Sequence, residues 1–290
     1  MDISIIIPTL NAEHEIEALL IALDRQSIQP NEILVVDSAS EDKTIELVQK
    51  HKRVRLLEID RQDFNHGTTR DMALNESSGD FVCFLTQDAV PVSDDYLKRL
   101  VAPMVEDSNI ALVSVGSFPR PMPVVLNNLY VVLTILTHHP CVRKAISKKN
   151  LALRRFFASD ACSAYRRTAY LECGGFDHVN TNEDMLMAAK FIASGMKVAY
   201  EPRAEVYHSH NLTPSQQFAR NRAVGFFLET HADDLMQASE IGEGGWLVRS
   251  VSSQLLREGN FGELVAFGVD CCARLLGNRA GRRAARIERS

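Results

Sequence analysis

Residues 3–24 read ISIIIPTLNAEHEIEALLIALD, in which a β-branched apolar run passes through a polar stretch into a helical repeat. The run from Ile3 to Pro8 is almost continuously apolar, which is typical of a strand buried on both faces of a sheet. Apolar residues then recur at the i, i+3, i+4, i+7 spacing of an amphipathic helix, at Ile16, Leu19, Leu20 and Leu23. A strand that leads directly into a helix indicates the first half of a parallel βα unit.

The same alternation continues along the chain. Apolar runs predict further strands at residues 33–37, 54–59, 81–85 and 110–115. Beyond them the pattern predicts that regular structure resumes at 160–166, followed by a helix marked by residues 185–192 and two short strands at 197–200 and 204–208. Ser38 and Glu41 match a capping box that would start the second helix. The expected fold class is α/β, a mostly parallel, Rossmann-like sheet flanked by helices.

Two parts of the chain are predicted to form separate domains. Residues 1–211 hold the alternating pattern, and within them residues 118–157, rich in proline and basic residues, indicate an inserted or mobile helical segment. Residues 212–290 read only as helices and form a C-terminal helical appendage, whose apolar faces suit a core or a homodimer interface. The last 13 residues contain five arginines against one glutamate. This basic tail is either a solvated helix end or a contact for an anionic membrane.

Composition excludes several classes of protein. With 32 basic and 37 acidic residues the net charge is −5, so there is no overall basic field and no nucleic-acid partner is expected. The six cysteines contain no Cys-x-x-Cys pair, which suits a reducing compartment better than a disulfide framework. The sequence shows neither a signal-peptide pattern nor the roughly 20 clean apolar residues of a membrane span. We therefore expect a cytoplasmic protein, at the inner face of the membrane if the tail binds lipid.

Polar residues cluster where several predicted strands end. These candidates are Pro8, Thr9, Asn11 and Glu13 around the end of the first strand, Asp37 and Ser38 at the second, and Gln87 and Asp88 after the fourth. Because ligands of open α/β sheets bind outside the carboxyl ends of the strands, we expect these side chains to surround one site. Neither of the common glycine-rich phosphate loops follows the first strand, so a bound phosphate would need another counter-charge.

A divalent cation is the obvious counter-charge, because it neutralises a diphosphate and stabilises it as a leaving group. Asp88 is the first candidate ligand and His208 the second. His208 and His210 alternate on a predicted strand, so only one of them can face the site. For either histidine, a purely structural role is the open alternative.

Short motifs in this sequence resemble those of the family 2 glycosyltransferases, which have the GT-A fold. Along residues 2–211 they are IIIPTLN at 5–11, VVDSAS at 35–40, QDA at 87–89, GGFD at 174–177 and NED at 182–184. The stretch FNHGTTR at 64–70, with the QDA variant, is most similar to bacterial rhamnosyltransferases that build surface polysaccharide from dTDP-L-rhamnose. One position departs from the usual family pattern, because an Asp-x-Asp motif is reduced to the single carboxylate of Asp88.

The resemblance implies an inverting glycosyltransferase that moves a sugar, in the narrower match L-rhamnose, to a hydroxyl group of a saccharide or lipid-linked acceptor. It implies that Thr9 and Asp37 contact the nucleotide, with Asp37 bonded to the pyrimidine ring. It also implies that Asp88 contacts the donor or a Mn²⁺ or Mg²⁺ ion, and that the acidic pair at 183 and 184 supplies the base. The full predicted donor-binding set is Pro8, Thr9, Asn11, Glu13, Asp37, Ser38, Asn65, His66, Arg70, Gln87 and Asp88.

Helical phase separates the two members of the acidic pair. At 100° per residue, Asp184 lies near the edge of the apolar stripe of its helix, whereas Glu183 points away from that stripe. Asp184 is therefore the candidate base. Glu183 is expected to be solvated or to hold Asp184 in place. Both carboxylates also have a structural alternative, since the helix macrodipole favours acidic residues in the first turn.

Other interpretations remain open. Asp37, Asn65 and neighbouring polar residues suit helix caps and loops as well as donor binding. The donor is alternatively a UDP-linked hexose or N-acetylhexosamine, and an inactive sugar-nucleotide-binding module fits the missing second carboxylate. A sugar nucleotidyltransferase is disfavoured, because residues 9–13 lack the glycine-rich, basic loop that such an enzyme needs.

Overall fold

Strands and helices alternate through the first half of the chain, as the βα pattern predicts. The computed structural model describes residues 1–118, 141–143, 156, 158–179, 181–208, 212–235 and 243–289. The strands are β1 Ile3–Thr9, β2 Glu32–Asp37, β3 Val54–Glu58, β4 Phe81–Leu85, β5 Val90–Pro91, β6 Ile110–Phe118, β7 Cys141–Arg143, β8 Cys162–Arg166 and β9 Lys197–Tyr207. The helices are α1 Ile16–Asp24, α2 Thr44–Gln49, α3 His66–Glu76, α4 Tyr96–Glu106, α5 Arg167–Glu172, α6 Glu183–Ala193, α7 Pro214–Thr230, α8 Glu243–Arg257 and α9 Phe261–Arg289, with a 3₁₀ turn at Arg61–Asp63.

These elements belong to two compact units. The first contains the described residues of 1–118, 141–143 and 158–208, and the second contains residue 156 and those of 212–235 and 243–289. No helix within the described ranges combines the length and apolar character that crossing a bilayer requires.

All nine strands of the described residues lie in one mixed sheet in the first unit. Its order is β3-β2-β1-β4-β8-β6-β9-β5, and β7 pairs with β9. The strands β3, β2, β1 and β4 are parallel, whereas β8 runs antiparallel to both of its neighbours, β4 and β6. The carboxyl ends of β1, β2 and β4 and the amino end of β8 therefore lie at the same edge of the sheet.

The centre of the sheet is buried on both faces. In β1 the side chains of Ile3, Ile5, Ile6 and Ile7 are all buried, and α1 packs its own apolar stripe against the same core. Burying one such side chain stabilises the fold by about 1.5–3 kcal/mol. The β1–α1 stretch is therefore both the clearest feature of the sequence and a main contributor to the core.

Two local predictions need correction. Ser38 and Glu41 do not cap a helix, because α2 begins only at Thr44 and residues 38–43 bond to the loop after β1 instead. The two strands predicted near 197–208 are one strand, β9, whose pairing with β6 shifts register between Glu201 and Val206. This bulge is held by Arg203, which donates from its backbone N–H and its Nε to Glu201 Oε1 at 3.0 and 2.8 Å.

The segment at 118–157 is described only in part. β6 continues to Phe118 and residues 141–143 form β7, so these parts of the predicted helical insertion are strand. Residues 119–140, 144–155 and 157 lie outside the described residues.

The second unit depends on close contact between α7 and α9. A Cβ atom built on Gly281 would overlap the carbonyl oxygen of Arg222, and one on Gly225 would overlap the backbone of Asn278. At this crossing the two helices touch backbone to backbone. Arg286 and Arg282 of the basic tail pair with Glu229 of α7 at 2.7 and 3.5 Å, so part of the tail charge is compensated within the unit.

We expect the same substitution, glycine to alanine, to have opposite effects on stability at two positions of α9. Gly281→Ala should lower the unfolding midpoint of the second unit, at a cost of roughly 1–3 kcal/mol, because the added methyl group forces α7 away. Gly268→Ala, where nothing lies within 4 Å of the new atom, should raise or preserve the midpoint through its better helix propensity. Urea unfolding followed by circular dichroism measures both, and equal midpoints for the two variants would contradict the close packing.

Candidate active site

Side-chain hydrogen bonds join the ends of β1 and β2. Thr9 Oγ1 donates to Asp37 Oδ2 at 2.9 Å, and the Ser38 N–H donates to the Thr9 carbonyl at 3.0 Å. Ser40 donates twice to Asp37, from its N–H to Oδ1 at 2.8 Å and from its hydroxyl to Oδ2 at 2.6 Å. The structure thus brings Thr9, Asp37 and Ser38 together, as expected for residues at one edge of a parallel sheet.

The Asp37 carboxylate is already engaged by these neighbours. It accepts three hydrogen bonds of the about four that a carboxylate can accept, and the residue has no exposed surface. One acceptor position is left for a pyrimidine ring. The bond between Asp37 and the pyrimidine stays a prediction.

Asn11 and Glu13 tie the loop after β1 to the loop after β2. Asn11 Oδ1 accepts from the Glu41 N–H at 2.9 Å, and Glu13 Oε2 accepts from the Lys43 N–H at 3.2 Å. Asn11 adopts a left-handed backbone with φ of 48°, a conformation that asparagine tolerates. Pro8 is partly buried within β1, beside Val36 of β2. Donor contacts by Pro8, Asn11 and Glu13 stay predictions.

Gln87 joins the loop after β4 to the loop after β1. Its Oε1 accepts from the Leu10 N–H at 2.9 Å, and its Nε2 donates to the Leu10 carbonyl at 3.2 Å. Only an amide side chain can accept and donate in this way, because an ionised carboxylate has no hydrogen to give. The Gln87 amide therefore ties the two loops together in a way that a carboxylate could not.

Asp88 and His208 are brought together although 120 residues separate them. Strand β5, just after Asp88, pairs with the end of β9, just before His208, with Val90 opposite Tyr207. The Asp88 Oδ1 and His208 Nε2 atoms are 3.5 Å apart, and both side chains are partly buried. The two candidate metal ligands therefore face the same point.

These two residues fit a divalent cation that is shared with a substrate. A carboxylate oxygen and an imidazole nitrogen are suitable ligands for Mn²⁺, and Mg²⁺ is commonly bound by one or two carboxylates together with substrate phosphates and water. Within the described ranges no group of three acidic, histidine or cysteine side chains suits a metal. His210, the alternative ligand, lies outside the described residues. The described residues thus offer two ligands, and a diphosphate would supply others.

The start of α3 lies against the start of α6. Asn65 caps α3 by accepting from the N–H groups of Gly67 and Thr68, both at 3.1 Å. Gly67 is required there, because an added Cβ would lie 2.8 Å from the Asp177 carbonyl oxygen. The His66 ring is exposed, and partial desolvation together with the Arg70 guanidinium lowers its pKa. The cap predicted for Asn65 is present, and donor contacts by Asn65 and His66 stay predictions.

Arg70 forms a buried ion-pair cluster with two carboxylates. Its Nη1 donates to Glu183 Oε1 at 2.7 Å, and its Nε lies 3.9 Å from Asp160 Oδ2. The expectation that Glu183 is solvated is wrong. The expectation rested only on the position of Glu183 relative to the apolar stripe of α6. Glu183 lies outside that stripe but is covered by Arg70 of α3, with which it pairs.

Asp184 is held at both carboxylate oxygens. Oδ2 accepts from the Asp160 N–H at 3.1 Å, and Oδ1 accepts from the Met185 N–H at 2.7 Å. The residue is partly buried at the first turn of α6. Burial, and then repulsion from Asp160 and Glu183, raises the pKa of Asp184 well above the usual carboxylate range. A fixed carboxylate with raised basicity suits a general base.

Asp160 is a member of this cluster that the sequence analysis missed. Its Oδ1 accepts from the hydroxyls of Ser163 and Tyr165, each at 2.7 Å. Burial raises the pKa of Asp160, and the Arg70 guanidinium opposes that rise. The available signal was the polar alternation of Ser163 and Tyr165 on a buried strand, since buried hydroxyls require partners. Nothing in the spacing identified Asp160 as that partner.

The predicted site residues therefore converge along one edge of the sheet. Contacts run from Asp37 to Thr9, from Leu10 to Gln87, and from Asp88 to His208. The Thr86 N–H donates to the Ala161 carbonyl at 3.1 Å, which joins this edge to Asp160 and hence to Asp184.

An open cleft of about 610 Å³ lies beside the ends of β2 and β3. Its lining includes Ala39, Glu58, Asp60, Asp63, Thr68 and Met72. Three of these are acidic, so the cleft favours groups that donate hydrogen bonds and disfavours a bare diphosphate.

Comparison of sequences identifies relatives over most of the chain. A model of the family Glycosyl transferase family 2 matches residues 4–174. The O-antigen chain rhamnosyltransferase RfbN of Salmonella typhimurium is 37% identical over 262 residues, covering 88% of this chain and 81% of the relative. The O-antigen chain rhamnosyltransferase WbaN of Salmonella anatum is 34% identical, covering 87% of this chain and 79% of the relative.

Solved structures share the fold. The mannosyltransferase from Pyrobaculum calidifontis, in complex with GDP-Man and Mn²⁺, superposes with a TM-score of 0.63 at 19% identity, covering 99% of this chain and 86% of that one. Residues 1–349 of TarS from Staphylococcus aureus give a TM-score of 0.58 at 18% identity, covering 100% of this chain and 91% of that one. The GT-A fold predicted from the sequence is confirmed. The chain belongs to glycosyl transferase family 2 and is an inverting glycosyltransferase.

Proposed function

We propose that this glycosyltransferase transfers L-rhamnose from dTDP-L-rhamnose to a hydroxyl group of a growing surface polysaccharide. The observation that supports this most is the 34–37% identity with two O-antigen chain rhamnosyltransferases, which extends over about four fifths of each relative. The rhamnose donor and the saccharide acceptor are inferred from what those relatives are named for.

Asp184 is the proposed general base. It accepts the proton of the acceptor hydroxyl while that oxygen forms a bond to the anomeric carbon of the donor. The bond from that carbon to the diphosphate breaks at the same time, and dTDP leaves with the electron pair, which inverts the configuration. The hydrogen bonds from the N–H groups of Asp160 and Met185 orient the carboxylate for this transfer.

The charges of the site suggest different positions for the nucleoside and for the diphosphate of the donor. The acidic cleft beside Glu58, Asp60 and Asp63 suits the ribose hydroxyls and the pyrimidine N–H, which donate hydrogen bonds. The diphosphate would lie toward Asp88 and His208. These two residues would hold a Mn²⁺ or Mg²⁺ ion, which neutralises the departing diphosphate when bound.

Nucleotide binding tests the donor and the cation together. In calorimetric titrations of the purified enzyme with dTDP, UDP and GDP, dTDP should bind most tightly. Added Mn²⁺ should strengthen that binding, because Asp88 and His208 contribute only two ligands. Asp88→Ala should abolish the Mn²⁺ effect.

Tighter binding of UDP or GDP would contradict the proposed donor. An unchanged affinity for dTDP with and without Mn²⁺ would contradict the proposed cation site. Asp42→Ala is a control for loss of a carboxylate, since Asp42 bonds the backbone of Glu13 and lies outside the proposed cation site.

Replacement of Asp184 tests the base. Asp184→Asn should lower turnover by about 10²-fold or more, because the amide cannot accept the proton, while dTDP binding persists. In the wild type, kcat/KM should fall as the pH decreases through the raised pKa of Asp184, since the protonated form is inactive. This acid limb should begin above the usual carboxylate range and should be absent from the residual activity of the variant.

Asp177→Asn is the matched control, because the Asp177 carboxylate pairs with Lys190 at 2.8 Å and has no place in the proposed reaction. It should retain wild-type turnover. An Asp184→Asn enzyme with near-normal turnover would exclude Asp184 as the base.

The second unit offers a surface for an anionic membrane that holds a lipid-linked acceptor. Phe261, Val265 and Val269 are exposed along one side of α9, and Arg279 and Arg283 are exposed further along the same side. An apolar face next to arginines suits the headgroup region of a bilayer. We place the enzyme at the inner face of the membrane on this basis, and a second copy of the chain is the alternative occupant.

Vesicle binding tests this surface. The double substitution Arg279→Glu and Arg283→Glu should reduce co-sedimentation with vesicles that contain phosphatidylglycerol, at unchanged turnover on a soluble acceptor. Arg25→Glu with Arg55→Glu is the charge-matched control, since both arginines are exposed on the first unit. Equal co-sedimentation of the two double variants would exclude this contact, and a dimer detected by sedimentation velocity that Val265→Asp dissociates would favour a second copy.

A further inference from the structure

We propose that Arg70 is a positioning residue for Asp184, which it holds through Glu183 and Asp160, and is not a ligand of the nucleotide sugar. The inference rests on the proposed role of Asp184 as the base. It assigns a different role to the arginine of the FNHGTTR stretch from the donor contact expected at first.

The guanidinium is enclosed by protein. The Arg70 side chain is only 5% exposed, so a diphosphate has little surface to contact. Its Nη1 donates to Glu183 and to the His66 carbonyl, at 2.7 and 3.2 Å. Its Cζ lies 5.9 Å from the centre of the Phe84 ring. The charge of Arg70 is directed toward the two carboxylates within the fold.

One of these carboxylates, that of Glu183, lies in the first turn of α6. Glu183 is the residue immediately before Asp184, and the preceding Asn182 provides no side-chain cap and has a left-handed backbone with φ of 59°. The first turn lacks a side-chain cap, and the ion pair between Glu183 and Arg70 connects it to α3. A shift of Glu183 would move Asp184 with it, because both lie in the same turn.

The other carboxylate, Asp160, belongs to a residue that bonds Asp184 through its backbone N–H. The N–H of Asp160 donates to Asp184 Oδ2 at 3.1 Å, while the Asp160 side chain is held by Ser163, Tyr165 and Arg70. Among the described residues, the Arg70 Nε and the Asp160 Oδ2 have no hydrogen-bond partner, and their attraction across 3.9 Å links the two side chains. Arg70 is therefore connected to Asp184 by two separate routes.

A positioning residue and a donor ligand predict different kinetics. If Arg70 positions the base, its loss lowers kcat while the KM for the donor and the affinity for dTDP remain unchanged. If Arg70 binds the donor, its loss raises KM and weakens dTDP binding. A misplacement of about 1 Å in a catalytic group can lower the rate about 10²-fold, so the effect on kcat is measurable.

The experiment is a double-mutant cycle of Arg70→Gln and Glu183→Gln. Removing one member of a buried ion pair leaves the other charge uncompensated and destabilises the fold, whereas replacing both is tolerated better. The double variant, in which two amides face each other, keeps the test valid if Arg70→Gln alone does not fold. Thermal unfolding establishes that each variant is folded before its kinetics are measured.

We expect each single variant to lower kcat by about tenfold or more, at unchanged dTDP affinity. The kcat of the double variant should be no lower than that of the less active single variant, because both substitutions break the same link. In the Asp184→Asn background, Arg70→Gln should have no further effect on kcat, since the group that it positions is already absent.

Arg166→Gln is the matched control. Arg166 also stacks on an aromatic ring, with its Cζ 5.3 Å from the centre of Phe81, and it donates to the carbonyls of Ile110 and Met104. It lies at the other end of β8 from Asp160. Its replacement should lower the unfolding temperature and leave kcat unchanged, which separates positioning from general stability.

Weakened dTDP binding in Arg70→Gln, with normal binding in Glu183→Gln, would overturn the inference and assign Arg70 to the donor. Losses in kcat that multiply in the double variant would overturn it as well. If Asp184→Asn itself retains turnover, the proposed base is wrong. If Asp184→Asn is inactive but the cycle is additive, the base stands and only the role of Arg70 is excluded.

Discussion

The antiparallel pairing of β8 with β4 is the constraint on which the site depends. Leu85 at the carboxyl end of β4 lies opposite Cys162 at the amino end of β8. Because β8 runs against its neighbours, the residues just before it lie at the edge where β1, β2 and β4 end. Asp160 therefore sits beside the polar loops of the first half of the sheet, and its backbone reaches Asp184. A parallel strand in this place would carry its preceding residues to the opposite edge.

The cluster that this pairing creates is unusual in its charges. Asp160 and Glu183 pair with the Arg70 guanidinium, next to the aromatic rings of Phe84 and Tyr165, and Asp184 accepts a hydrogen bond from the Asp160 N–H. Burial of ion pairs generally adds little to stability, because desolvation opposes the attraction between the charges. In this cluster the buried ion pairs serve to orient the side chains, since buried, hydrogen-bonded groups keep a fixed geometry. The same burial and repulsion raise the pKa of Asp184, so one arrangement both orients the proposed base and increases its basicity.

Local patterns predicted the parts of the molecule that depend on local forces. The stretch from Ile3 to Leu23 forms β1 and α1 as its periodicity indicates, and the polar strand ends converge because sheet topology requires it. Asp88 and His208 lie close together, as expected, since each follows a strand that ends at the same edge, whereas their role as metal ligands stays a prediction. The failures have a common cause in contacts between distant segments. The Glu41 N–H bonds to Asn11, so Glu41 lies in a loop and does not form a capping box. Glu183 lies outside the apolar stripe of α6, but it is buried there because Arg70 of α3 pairs with it.

The glutamine at position 87 shows how such a contact bears on chemistry. Its amide bonds both the N–H and the carbonyl of Leu10, which a carboxylate could not do, so the loops after β1 and β4 are held together beside Asp88. Because an Asp-x-Asp motif is reduced to the single carboxylate of Asp88, the proposed cation site at Asp88 and His208 would have one protein carboxylate fewer. Much of the affinity for the cation would then come from the diphosphate of the donor. Cation and donor are accordingly expected to bind together.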